Sequence, residues 1–188
     1  MDRRVKYTKK IIQDTFLELL EEKELTKITV MELCKKADIN RATFYRYYLD
    51  TFDLLEKMED EFVLEFQNTY KDFNYTNNKL YDYVLVLLQA CKKNKRFVKV
   101  LFHSKSGIPF LNRLLEDAYV RCKDKWEHDL PDISEEKEEY ATAYIFNGTL
   151  GIVNYWVQND FNLDIEEIAS MVRDLSYSGV NCFIYHKN

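Results

Sequence analysis

The sequence predicts an all-α fold, with an N-terminal three-helix domain followed by a larger helical one. Three observations carry this expectation. Only four glycines and two prolines punctuate 188 residues, too few for the many turns of an all-β chain. Apolar residues recur three and four apart along most segments, the spacing that lines one face of a helix. Residues that favour helix starts, Thr, Asn, Asp and Ser, stand where those stripes begin.

The first stripe runs through Ile11, Ile12, Thr15, Phe16, Leu19 and Leu20, starting from Thr8, and ends in the polar run Glu21 to Glu24. Thr29, three residues before Glu32, forms a capping box in which hydroxyl and carboxylate reciprocally satisfy free backbone N–H groups. Leu33, Cys34 and Ala37 face inward on this second helix, and Asp38–Ile39–Asn40 breaks it. Asn40 then caps a short third helix, Arg41 to Tyr47. Asp50 caps a fourth with a buried stripe of Leu54, Leu55, Met58, Phe62 and Phe66. Beyond the polar break at 74–78, Leu80, Tyr83, Val84, Leu87, Leu88 and Cys91 form the next stripe. Phe97 to Phe102 and Phe110 to about Trp126 follow, up to the break at Pro131. Ser134 caps a long helix with an acidic first turn and an apolar face of Ala141, Ile145, Gly148, Ile152 and Trp156. Asp164, boxed with Glu167, caps the last, which carries Ile165, Ile168, Val172, Leu175, Gly179 and Phe183. About nine helices and no strand are expected, with a domain boundary that gives 1–49 and 50–188.

Bulk properties exclude several function classes. A hydrophobic content of 46% is ample for a core and too high for a disordered chain. Cys34, Cys91, Cys122 and Cys182 form no C-x-x-C pair and no metal-ligand spacing with His103, His128 or His186, so they read as buried reduced thiols of a cytoplasmic protein. No cofactor is called for. The basic N-terminus has no apolar run behind it and is not a signal peptide. No stretch approaches about 18 uninterrupted apolar residues, so no membrane span is expected. No nucleophile elbow, phosphate-binding glycine loop or H-E-x-x-H helix appears, which argues against an enzyme. The net charge of −5 is unevenly spread. Residues 1–48 hold eleven Lys and Arg against eight acids, and the remainder sixteen against twenty-four. A basic head that includes Arg3, Arg4, Lys6, Lys9 and Lys10 on an acidic body suits a polyanionic partner.

The short third helix carries the functional expectation. Ile39, Phe44 and Tyr48 are spaced to anchor it against Phe16, Leu33 and Cys34, leaving Arg41, Thr43, Arg46 and Tyr47 to face outward. Arginine can address guanine edges bidentately, while Thr and Tyr hydroxyls suit phosphates or base edges. Thr29 and Asn40 stand at helix N-termini, where backbone N–H groups favour a phosphate oxygen.

The stretch Thr26 to Leu55, T-K-I-T-V-M-E-L-C-K-K-A-D-I-N-R-A-T-F-Y-R-Y-Y-L-D-T-F-D-L-L, resembles the DNA-binding domain of the TetR family of transcriptional regulators. Thr29, Leu33, Ala37, Ile39, Asn40, Thr43, Phe44, Tyr45 and Tyr48 fall on the family pattern. The resemblance implies that Thr29, Arg41, Thr43, Tyr45 and Tyr47 contact DNA, Tyr45 and Tyr47 mainly at phosphates. Two positions depart from it. Asp38 replaces the turn glycine and must hold a conformation that glycine prefers. Thr51 stands where the family commonly has a phosphate-binding lysine, a loss that Arg46 or a basic N-terminal arm could offset.

The resemblance further implies a homodimer through the last two helices, reading a palindromic operator. It also implies a repressor released by a small-molecule effector. Phe66, Tyr83, Leu87, Phe102, Phe110, Tyr119 and Tyr144 are candidates for the effector pocket wall, but each taken singly reads first as core, and no ligand residue is singled out. N-G-T-L-G-I-V-N-Y-W resembles a TetR subgroup that includes dihydroxyacetone kinase regulators. The alternative is a regulator or co-activator of the same fold that engages a protein partner and does not bind DNA by itself.

Overall fold

The computed structural model describes residues 3–71, 79–103, 110, 113–114 and 135–185. Among these, every regular element is helical: α1 (Arg3–Glu22), a 3-10 turn (Leu25–Lys27), α2 (Val30–Lys36), α3 (Arg41–Tyr45), α4 (Thr51–Lys71), α5 (Lys79–Lys93), α6 (Lys95–His103), α7 (Glu135–Gln158) and α8 (Ile165–Tyr185). The chain divides into two compact units, Met1–Leu64 and Glu65–Asn188, and α4 runs through the division.

In the first unit the expected apolar positions make one core. Ile12, Phe16 and Leu19 of α1, Leu33 and Cys34 of α2, Phe44 and Tyr48 around α3, and Leu54, Leu55, Met58 and Phe62 of α4 are all buried. Two expectations change. The first helix begins at Arg3, five residues before Thr8, so the basic residues ride on helical turns and form no extended arm. Capping by Thr29 is half of a capping box: its hydroxyl accepts from Glu32 N at 3.2 Å. The Glu32 carboxylate instead meets Lys23 Nζ at 2.5 Å, because the chain returning from α1 places a full charge within its reach. Surface ion pairs Lys36–Glu22 at 2.8 Å and Lys36–Glu18 at 3.5 Å tie α2 to α1; they hold the Glu22 carboxyl below and the Lys36 ammonium above their ordinary ranges.

The second unit packs α5 on α8, α7 on α8 and α6 on α7. Tyr83, Val84, Leu87, Leu88 and Cys91 of α5 are buried as their spacing predicts, and burial pushes the Cys91 thiol up to about 12, where it is inert. Cys34 and Cys91 are both free and buried. Ser134, Tyr119, most of the expected 110–126 helix and the side chain of Phe183 lie outside the described residues.

The α7–α8 turn is held in an unusual conformation. Asp160 and Phe161 have φ of 60° and 59°, the left-handed region that costs a non-glycine residue on the order of 1 kcal/mol. Packing over-determines the turn. Phe161 is buried edge-on to Trp156 at 4.8 Å, Trp156 Nε1 donates to Leu163 O at 2.9 Å, and Lys99 Nζ meets Asp160 at 2.5 Å.

Expectations fail at three positions of this unit. Leu175 of the last stripe is 55% exposed, Gly148 of the α7 stripe is exposed, and Tyr144, a candidate for the pocket wall, is 68% exposed. Among the described residues no neighbour buries these positions, and helical spacing states which residues share a face but not what meets it.

Candidate nucleic-acid interface

The helix-turn-helix is built from its turn outward. Ala37 N and Ile39 N close onto Leu33 O and Cys34 O at 2.8 and 3.0 Å. This reversal requires Asp38 to take φ 52°, the conformation expected where a glycine was replaced. The chain then extends at Asn40 (φ −74°, ψ 143°), whose Oδ1 accepts from Ala42 N at 2.9 Å. That cap starts α3.

The third helix is shorter than its pattern suggests. It ends at Tyr45, and Arg46 and Tyr47 form a turn in which Tyr47 N and Tyr48 N both donate to Phe44 O. Phe44 and Tyr48 are the anchors, fully buried with ring centroids 5.6 Å apart. Ile39 is only half-buried. Among the described residues the Tyr48 hydroxyl has no partner in good hydrogen-bond geometry. Burial foremost, then the nearby Glu61 charge, raises it well above the ordinary phenol range, although Gln13 beside it works the other way. Gln13 is itself turned towards Glu61, to which it donates at 2.8 Å.

The seven candidate DNA-contacting residues all reach the surface of this unit. Thr29, Asn40, Arg41, Tyr45 and Arg46 are exposed, and Thr43 and Tyr47 are half-buried. Thr29 and Asn40 each commit one side-chain oxygen to a cap, so what they can still offer a phosphate is the Thr29 hydroxyl proton and the Asn40 amide protons. Arg41 and Arg46 bracket Tyr45, which is 55% exposed and packs edge-on to Phe44 at 5.6 Å. On α1, Arg3, Lys6, Tyr7 and Lys10 are exposed, while Lys9 meets Glu61 at 3.4 Å.

Thr51 is buried. The position where a phosphate-binding lysine was expected therefore faces the core. Asp50 caps α4 as expected, its Oδ1 accepting from Phe52 N and Asp53 N at 2.9 and 2.8 Å. What the pattern did not single out is the pair Asp53 and Lys57. Lys57 Nζ donates to the Tyr47 carbonyl at 3.0 Å and to Asp53 Oδ2 at 2.9 Å, and the same Asp53 oxygen accepts from Leu49 N at 2.8 Å. The Lys57 ammonium, with Leu49 N–H, holds the Asp53 carboxyl below its usual range. The i, i+4 spacing of Asp and Lys was visible in the sequence; the reach of the ammonium to a carbonyl ten residues back was not.

In the second unit, Phe66, Tyr70 and Tyr83 form a mutually packed aromatic cluster with centroids 5.1 to 6.1 Å apart. Tyr83 OH donates to Leu114 O at 3.0 Å, and Phe97 meets Phe110 edge-on at 6.1 Å. Of the expected pocket wall, Phe66, Tyr83, Leu87 and Phe110 are buried, Phe102 is half-buried and Tyr144 is outside. Among the described residues no three His, Cys, Asp or Glu side chains gather in a way that could hold a metal ion, and no helix is long and apolar enough to cross a membrane.

Comparison with known proteins bears on both units. Residues 78–178 match the TetR-type family model described as "Transcriptional regulator C-terminal region". Over 159 residues the chain is 28% identical to the uncharacterized HTH-type transcriptional regulator YxbF of Bacillus subtilis, covering 82% of this chain and 40% of that protein. Over 95 residues it is 30% identical to DhaS of Lactococcus lactis, an HTH-type activator of the dhaKLM operon, covering 50% of this chain and 49% of DhaS. The chain thus spans less than half the length of these curated relatives. Its fold is similar to the crystal structure of a TetR-like transcriptional regulator from Rhodococcus sp. RHA1, with a TM-score of 0.67 at 15% identity over 96% of this chain and 98% of that one.

Proposed function

Because this chain belongs to the TetR family of transcriptional regulators, we propose that it binds double-stranded DNA sequence-specifically, as a homodimer on a palindromic operator. The observation that carries this reading is the outward face of α3. Arg41 and Tyr45 of α3, and Arg46 in the turn that follows it, are exposed beside the buried anchors Phe44 and Tyr48. Arg41 and Arg46 supply base-edge or phosphate contacts, Tyr45 and Tyr47 phosphate contacts, and Thr29, Asn40 and Thr43 the flanking hydrogen bonds. The buried Thr51 removes one phosphate contact, so more of the backbone affinity falls to Arg46 and to the basic first turns of α1.

Dimerisation through α7 and α8 fits the apolar surface those helices leave open. Tyr140, Tyr144, Tyr155 and Leu175 are exposed. A Cβ placed on Gly179 would lie 3.5 Å from the Tyr144 ring, so the two helices contribute to one continuous face. Two-fold symmetry would set paired recognition helices about 34 Å apart. A small apolar or aromatic effector is expected near Phe66, Tyr83 and Phe110, releasing the repressor from DNA in the cytoplasm.

The test is selection of duplexes from a randomised pool, followed by titration of the enriched duplex at two salt concentrations. Arg41→Ala should cost about 1–3 kcal/mol on that duplex and relax the preference at one base pair. If the pool yields no enriched duplex, the protein-partner reading replaces this one. A metabolite that changes DNA affinity would establish effector control, and its sign would separate repressor from activator.

A further inference from the structure

We infer that Lys57 is a positioning residue for DNA recognition, holding the end of α3 through the Tyr47 carbonyl. The inference rests on the DNA-binding reading above and concerns a residue outside the α3 face. α3 has five residues, too few to be stable as an isolated helix, and its last carbonyls have no partner within the helix. The turn that follows it carries Arg46 and Tyr47, two of the proposed contact residues.

The first turns of α4 grip this turn on both sides of Tyr48. Lys57 Nζ donates to Tyr47 O at 3.0 Å on one side. Asp53 Oδ2 accepts from Leu49 N at 2.8 Å on the other. The two grips are joined by the 2.9 Å Lys57–Asp53 pair, and the cap made by Asp50 holds Asp53 in place. The ammonium also lies 5.6 Å from the centroid of the buried Tyr48 ring. A cation at this end of α3 is favoured by the helix dipole as well as by the hydrogen bond. Apart from Lys71 in its last turn, Lys57 is the lysine of α4. With Thr51 buried, it is the α4 cation nearest the recognition turn in sequence, and it is spent on backbone.

A rival role is open to the same side chain, which is 44% exposed and long enough to swing to a phosphate. Amide exchange in the free protein separates the two. A direct phosphate contact by Lys57 leaves the free protein unchanged and its loss only flattens the slope of log K against log salt, by about 0.9, whereas lost positioning loosens the turn before any DNA is added.

The full chain and its Lys57→Met, Lys57→Arg and Asp53→Asn variants should be titrated with the duplex that the wild type enriches from a randomised pool. Circular dichroism checks folding, and amide exchange is followed at Leu49. We expect K57M to bind roughly tenfold more weakly, the cost of a charged hydrogen bond. The Leu49 amide should exchange faster in the free protein. K57R should restore affinity to within about twofold. D53N, which keeps an acceptor for Leu49 N but no charge for Lys57, should fall between them, and it decides the matter if K57M fails to fold. A flattened slope in K57M with wild-type exchange at Leu49 overturns the inference in favour of a direct phosphate contact, and unchanged affinity overturns it outright. If the wild type enriches no duplex, the DNA-binding reading fails and this role fails with it; an effect confined to K57M leaves that reading standing.

Discussion

Asp38 holds a φ of 52° in the turn between α2 and α3, and its side chain is exposed. Glycine would adopt that conformation without steric cost while gaining freedom in the unfolded chain. The first effect is the larger, so Asp38→Gly should stabilise the protein by about 0.5 kcal/mol, read as a higher urea midpoint at constant m. A lower midpoint would show that the carboxylate contributes more than its backbone strain costs. Tyr48 gives a second test. Its phenol is buried and its pKa raised, by burial first and Glu61 second. A raised folded pKa means the folded state holds the proton more tightly. The contribution is therefore complete below the unfolded value of about 10 and is lost as pH climbs beyond it. Wild-type stability should fall above about pH 10 more steeply than that of Tyr48→Phe. At pH 7 the two should differ by less than about 1 kcal/mol, because the hydroxyl has no well-formed partner to lose.

Among the elements, α3 depends most on what surrounds it. Five residues hold it together with one side-chain cap, the Asn40 Oδ1 to Ala42 N bond, and the two ring anchors Phe44 and Tyr48. Asn40→Ala should cost about 1 kcal/mol of stability, and it should weaken DNA binding by more than its stability loss predicts if the Asn40 amide also meets a phosphate. Asn40→Asp preserves the cap but adds a negative charge, so it should retain stability while losing affinity most at low salt. Equal affinities for the two variants would remove Asn40 from the DNA contacts. Helix α4 combines three jobs: a core stripe, a start capped by Asp50, and the grip on the α3 turn by Asp53 and Lys57. The first two were readable from period and cap residues. The third depends on a side chain bridging two elements, which no local pattern encodes.

For the molecule as a whole, the question is what covers α7 and α8. Gly148 and Gly151 are exposed, and among the described residues nothing lies within 4 Å of a Cβ at either position, so these neighbours accommodate alanine freely. Gly148→Ala should then raise the intrinsic stability of α7 by about 1 kcal/mol. If a partner's helices pack closely there, the same change should weaken dimerisation, so sedimentation and thermal unfolding would move in opposite directions. Leu175→Glu, on the same open face, should yield a folded monomer that binds a palindromic duplex far more weakly than a dimer does. A dimer unaffected by Leu175→Glu would place the interface elsewhere.

The sequence by itself determined the helical class, most helix boundaries, the cap at Asn40 and the core stripes of the first unit. It also located the left-handed turn at Asp38. Those features are local: each is set by side-chain period, by a cap within three residues or by the φ that a tight turn demands. Tertiary structure decided where Thr51 points, how Glu32 is used, and that Arg3 to Lys10 are helical. It also turned Tyr144 and Leu175 outward and sent the Lys57 ammonium to the Tyr47 carbonyl. Each of these turns on a neighbour distant in sequence or on the absence of one. A stripe at helical spacing states which residues share a face, but only the packed fold states what that face meets. For Arg41 and Tyr45 on the anchored helix, and for Arg46 in the turn after it, it meets solvent, the arrangement on which DNA recognition is proposed.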